Sequence, residues 1–212
     1  NINSQYIIVA SYKNNTIFRG NKVMNAKINH LSQICSAKFL KYTSGKQKDV
    51  NIILVNNGKL TFEVLVDKCM DIAQTYHKGT NISFISANGI DNFSNDFGTF
   101  YNGGLVYTCG LDNLGRRAEP IHGKIHSIPA NLQSCIVDEN GVEIKGFMEQ
   151  TSLFGDKLRL TRTITTKVNS DIIEINDCLE NFGHKDANYC LLYHVNMGYP
   201  MLDEGVKIVS PM

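Results

Sequence analysis

The sequence lacks a dominant charge of either sign: across 212 residues, 21 lysines and arginines face 20 aspartates and glutamates, and the basic residues are spread along the chain. Phosphate backbones and anionic lipid surfaces call for a concentrated basic footprint, so neither nucleic acid nor a membrane is an expected partner. No apolar run approaches the roughly 20 residues that span a bilayer. Residues 1–20 lack the charged start and apolar core of a signal peptide, and the expected location is the cytoplasm. Proline is scarce, with four residues punctuating separate loops. With no Pro-rich linker, internal repeat or low-complexity tract to divide the chain, residues 1–212 are expected to form a single domain. Because the chain starts at Asn1 rather than Met and stops at Met212 without a clear terminal element, that domain is expected to be partial.

Other absences narrow the chemistry. The six cysteines (Cys35, Cys69, Cys109, Cys135, Cys178, Cys190) are too widely scattered for a zinc knuckle or a redox pair. They read as buried, reduced thiols; three disulfides are the alternative that an even count leaves open. Gly103-Gly104 and Gly110 do not form the spaced pattern that opens a phosphate-binding helix, and no Gly-Lys-Ser/Thr follows. His122 and His126 have the separation of a zinc-protease motif, but Gly123 stands where its glutamate is needed. No metal site is expected. Cys109 and Cys190 carry no local signature of a nucleophile, and buried thiols are the commoner case.

What the sequence does have is two-residue alternation, the mark of half-buried strands. In Leu60–Val66, Leu60, Phe62, Val64 and Val66 fall on one face and Thr61 and Glu63 on the other. In Leu158–Thr166, Leu158, Leu160 and Ile164 oppose Arg159, Thr161, Thr163 and Thr165. Further strands are expected at Asn51–Val55, Asn81–Ile85, Cys135–Val137, Val142–Met148, Ile172–Leu179 and Tyr189–Val195. Asn57-Gly58, Asn88-Gly89 and Glu139-Asn140-Gly141 supply the positive φ of tight turns, and strands at this spacing make an all-β sandwich or barrel. Ala26–Phe39 is ambiguous: Ile28, Leu31, Cys35 and Phe39 have helical spacing, while Ile34 also fits a strand. Asp91–Leu114, rich in Asn, Gly and aromatics including Phe97, Phe100 and Tyr101, reads either as a loop lining a site or as an ordinary surface loop.

Two constellations could carry chemistry. If Pro120–His126 is extended, His122, Lys124 and His126 project to one side; the bland alternative is a solvated basic edge. In Tyr189–Pro200, alternation puts His194 and Asn196 together at the end of an apolar strand, opposite Tyr189, Leu191, Tyr193 and Val195. A histidine there suits acid-base work near neutrality, or is simply satisfied by a backbone carbonyl.

Taken in order, these segments resemble a known family. Leu179-Glu180-Asn181 followed by Leu191-Leu192-Tyr193-His194-Val195-Asn196 is similar to the Val-x-Asn strand and following His segment of aldose 1-epimerases and hexose-6-phosphate epimerases, and His122-Gly123 to the His-Gly of their earlier catalytic loop. Val66–Ile72, Lys78–Ser83, Gly103–Leu111, Phe154-Gly155 and Tyr193–Pro200 resemble a bacterial branch of the galactose-mutarotase-like superfamily, from about residue 30 to the end.

The resemblance implies an all-β supersandwich, here lacking its C-terminal strands, with a sugar site on one face of its large sheet. It implies His194 as general acid on the sugar ring oxygen and His122 as its partner, with Asn196 and Lys124 as substrate contacts and Arg116 and Arg117 as weaker candidates. The expected activity is that of an aldose 1-epimerase (mutarotase): acid-base ring opening and reclosure at the anomeric carbon of a small-molecule sugar, with no cofactor. The alternative is a non-catalytic sugar-binding or sensing module. Lys68-Cys69 departs from the Arg-Gly of the branch. The family's glutamate base is expected beyond Met212, since no glutamate present occupies its motif.

Overall fold

The computed structural model describes residues 2–9 (backbone only), 27–94, 96–115, 120–207 and 209. Within them the strands are β1 (Ile2–Val9), β2 (Ser36–Lys41), β3 (Asn51–Asn56), β4 (Leu60–Leu65), β5 (Asp71–His77), β6 (Thr80–Asn81), β7 (Val106–Leu111), β8 (Asn131–Val137), β9 (Gly141–Thr151), β10 (Lys157–Lys167), β11 (Ile172–Asn181) and β12 (Cys190–Val195). They form two antiparallel sheets. The smaller has five strands in the order β1-β11-β10-β9-β8; the larger has the path β12-β7-β5-β4-β3-β2, with β6 beside β5. No helix among the described residues is long and apolar enough to cross a membrane.

Alternation made these sheets into a sandwich. Ile53, Val55, Phe62, Val64, Ile72 and Val106 of the larger sheet share one core with Ile144, Met148, Leu160, Ile164, Ile173 and Ile175 of the smaller. Burying apolar area at about 25 cal/mol per Å² makes that interlayer contact the main source of stability. The β3–β4 hairpin turns at Asn57-Gly58, where Gly58 has φ of +96°. A Cβ there would meet the Asn169 side chain at 2.5 Å.

Several expected elements differ. Of the two readings open for Ala26–Phe39, the described part favours the strand: it holds a 3-10 turn (Leu31–Gln33) and then β2. Of its helically spaced residues only Cys35 is buried, and Phe39 is exposed. Asn81–Ile85 yields only the end of β6 and isolated bridges from Ser83 to Met197 and Ile85 to Gly103. Asp91–Leu114 is not one loop, because its second half contains β7. The described cysteines are all free, with Cys35, Cys69 and Cys109 buried and the other three partly so.

At the centre of the sandwich is a buried ionic network. Alternation along β10 puts Arg162 on the face of Leu160 and Ile164, and it is 0% exposed. Its Nε and Nη2 donate to the two oxygens of Asp177 (3.0 and 2.7 Å), its Nη1 to Asp71 and to the Cys69 carbonyl (both 3.0 Å), and its Nη2 also to Thr108 Oγ1 (3.0 Å). All the N–H donors of a guanidinium are thereby used. Asp71 accepts from the Thr108 N–H and hydroxyl, and Asp177 from the Tyr193 hydroxyl at 2.5 Å. The network ties β10 and β11 to β5, β7 and β12 from behind.

Candidate functional site

Strands β7 and β12 pair antiparallel, with Tyr193 opposite Thr108 and His194 opposite Tyr107. Thr108 and Tyr193 face the core network, so Tyr107, Cys109 and His194 must face the other way, onto the outer surface of the larger sheet. Two segments converge there. The first is a single helical turn, α1 (Phe97–Phe100), with Tyr101 following it.

The second carries His122. Gly110 N–H donates to the His122 carbonyl (2.9 Å) and Lys124 N–H to the Gly110 carbonyl (2.8 Å), locking the His-Gly pair against the end of β7. His122 and Gly123 take φ of +64° and +76°. A Cβ on Gly123 would run into the Gly110 carbonyl and the Asp112 carboxylate, so glycine is required at that position. The left-handed His122, uncommon for a residue with a side chain, is the kind of strain that a packed site sustains.

This backbone brings the His122 and His194 rings to a centroid separation of 6.0 Å at 74°. Gly115 N–H donates to His122 Nδ1 (3.3 Å). The neutral ring therefore carries its proton on Nε2, where it can donate. Tyr101 lies 6.2 Å from His194 and Phe97 5.4 Å from His122. His126 is stacked between Phe100 (5.0 Å) and Tyr107 (4.9 Å). Burial, followed by the charges of Lys68 and His122, lowers the His126 pKa to about 4, so its ring is neutral at physiological pH. Burial likewise raises the Tyr107 phenol far above its ordinary value, with the Asp71 charge adding to the effect.

The other expected site residues are placed unequally. Asn196 is buried: its amide donates to the Gly104 and His194 carbonyls (2.9 and 3.1 Å), and its oxygen accepts from the Tyr101 hydroxyl (3.0 Å). It ties together the segments that carry Tyr101 and His194. Lys124 does not converge with the histidines as an extended segment would require. Its side chain is 61% exposed and 3.7 Å from Asp112. The cause is local, since left-handed His122-Gly123 and a 3-10 turn at Ile125–Ser127 destroy the alternation. Arg116 and Arg117 lie outside the described residues. Burial raises the thiols of Cys109, to about 12, and of Cys190, leaving neither primed as a thiolate nucleophile.

Tyr107 was not among the expected site residues, and its place in the site follows from its register with His194; the advance signals were its position in the aromatic-rich segment and within Gly103–Leu111. Among the described residues, no three of His, Cys, Asp and Glu are grouped to hold a metal ion.

The two antiparallel sheets form a β-sandwich with the galactose-mutarotase-like fold. Residues 47–212 match the family described as "Domain of unknown function (DUF4432)", and the chain belongs to that family. The fold is similar to that of a crystal structure from Klebsiella pneumoniae subsp. pneumoniae MGH 78578, a protein provisionally assigned as an aldose 1-epimerase. The TM-score is 0.64 at 16% identity, over 96% of this chain. The chain spans 58% of that protein's length, and at this identity the likeness is one of fold. No curated protein matches the sequence.

Proposed function

We propose that the chain is the histidine-bearing part of a cytoplasmic sugar isomerase of the aldose 1-epimerase type. The observation that carries this reading is the 6.0 Å separation of the His122 and His194 rings on the outer face of the larger sheet. At that separation two imidazoles can contact the same oxygen atom of a ligand. In the proposed reaction His194 protonates the ring oxygen as general acid, while His122, donating from Nε2, holds and polarises the same atom. A carboxylate removes the anomeric hydroxyl proton, the C1–O bond to the ring oxygen breaks, and rotation about C1–C2 followed by closure inverts the anomer. Proton gain and loss balance between acid and base, so the chemistry needs no cofactor. Asn196 acts as a positioning residue for His194 and Tyr101, and Lys124 is a substrate contact only at the rim.

Polarimetry or exchange NMR of the full-length gene product on a panel of aldoses tests this. Anomer interconversion should be accelerated, and His194→Ala should lose about 10²–10⁴-fold of that acceleration, the usual scale for a general acid. A protein that binds a sugar but leaves interconversion at the uncatalysed rate is a binding or sensing module instead. If His194→Ala keeps the full rate, its assignment as acid fails even in an active enzyme.

A further inference from the structure

Three buried side-chain polar atoms among the described residues have no hydrogen-bond partner: Tyr107 Oη, His126 Nδ1 and Asn113 Oδ1. Asn113 at least donates its amide nitrogen to the Pro120 carbonyl at 3.1 Å. The other two belong to rings stacked on one another at 4.9 Å, beside the paired histidines. Tyr107 is 3% exposed and His126 4%. Folded proteins pair nearly all such atoms, because an unpaired one forfeits its hydration without return. Two orphans in one stack, on the strand face that carries His194, call for an explanation that packing does not supply. The stack lies beneath Phe100, with Tyr101 edge-on to Tyr107 at 4.9 Å.

We propose that Tyr107 and His126 form an inner subsite beside the paired histidines, in which their unpaired phenol and imidazole nitrogen bind hydroxyl groups of an uncharged sugar when the Phe100 ring that covers the stack swings aside. This rests on the sugar reading above. A stack of aromatic faces suits the C–H face of a pyranose, and the two polar atoms suit its hydroxyls. His126 is neutral, so it offers hydrogen bonds without a charge. An anionic substituent would find no counter-charge on either member of the stack.

The test is Tyr107→Phe, which keeps the ring and removes only the orphaned hydroxyl. Thermal unfolding is measured without ligand, and binding of D-glucose, D-galactose and their deoxy analogues by calorimetry or NMR titration. The thermal midpoint of the unliganded protein should rise by about 2–4 °C, as relief of one unpaired buried group predicts. Sugar affinity should fall about tenfold, the loss of one hydrogen bond to ligand. One deoxy analogue should bind the variant as well as the parent sugar does. A midpoint that is unchanged or lowered means the hydroxyl is already satisfied in the unliganded protein and overturns the proposal. So does unchanged sugar affinity. Wild-type protein that binds none of the sugars overturns this proposal and the sugar reading together, whereas binding insensitive to Tyr107→Phe overturns this proposal alone.

Discussion

Strands β7 and β12 have two faces that handle buried polarity in opposite ways. On the inner face Thr108 and Tyr193 join Arg162, Asp71 and Asp177 in a network where every guanidinium N–H is bonded. On the outer face, one residue away along the same backbone, Tyr107 and its stacked neighbour His126 bury polar atoms with no partner. A complete network fixes the layers against each other and leaves nothing for a ligand to do. An incomplete one costs stability and is retained where something else completes it. The contrast supports the proposal that the outer face carries the site.

The hardest test of that contrast is to break the inner face. Arg162→Met is nearly isosteric along its stem but strands the Asp71 and Asp177 carboxylates in the core. Removing one partner of a buried ionic group costs about 3–5 kcal/mol. For a chain of this size that should lower the thermal midpoint by about 10 °C or prevent folding. A loss below about 1 kcal/mol by denaturant titration would show that the network contributes little and that the two faces do not differ as argued.

The inner network also explains what could be read from sequence and what could not. Strands with one solvated face, such as β4 and β10, were legible because each alternates buried and half-buried positions. Arg162 obeys that same alternation, but a charge at a core position can be placed only when its partners on β5, β7 and β11 are known. Strands β5 and β7 were not legible as strands. Every residue of β7 is buried, since the other sheet covers one face and α1 and the His122 loop cover the other, so no period remains. His122 and His194 were singled out through the segments around them. Their meeting depends on the β7–β12 register and the Gly110–Gly123 bridge, which are tertiary facts. The convergence of Lys124 with the histidines presumed an extended backbone, and His122-Gly123 is left-handed.

A milder perturbation is pH, and here the faces oppose one another. Burial raises the Asp71 pKa from 3.8 to about 6, against the pull of Arg162 and Thr108. Its contribution is present in full below pH 3.8 and is lost as pH rises through about 6. Burial lowers the His126 pKa from 6.5 to about 4, aided by Lys68 and His122 and resisted by Asp112. Its contribution is present above pH 6.5 and is lost as pH falls through about 4. The two slopes have opposite sign in one window. In the wild type the two groups therefore offset one another between pH 4 and 6.5. Asp71→Asn should expose stability that rises with pH, and His126→Phe stability that falls with pH. Denaturant unfolding across that range checks both, and variants with parallel profiles would refute the opposition.

The smallest expected effect draws the comparison most sharply, because it uses the same chemical change on adjacent strands. Tyr193→Phe removes the hydroxyl that donates to Asp177 Oδ2, while Arg162 still holds both oxygens of that carboxylate. The ring keeps its place 5.8 Å from the guanidinium. The loss is one hydrogen bond to a carboxylate that remains otherwise satisfied, about 1 kcal/mol, or a fall of about 2–4 °C in thermal midpoint. Tyr107→Phe deletes the same atom from the opposite face and should shift the midpoint upward. Opposite signs from two Tyr→Phe changes cannot come from lost area or lost volume, which are the same in both. They can come only from one hydroxyl having a partner and the other lacking one. Equal shifts in either direction would remove the distinction between the faces.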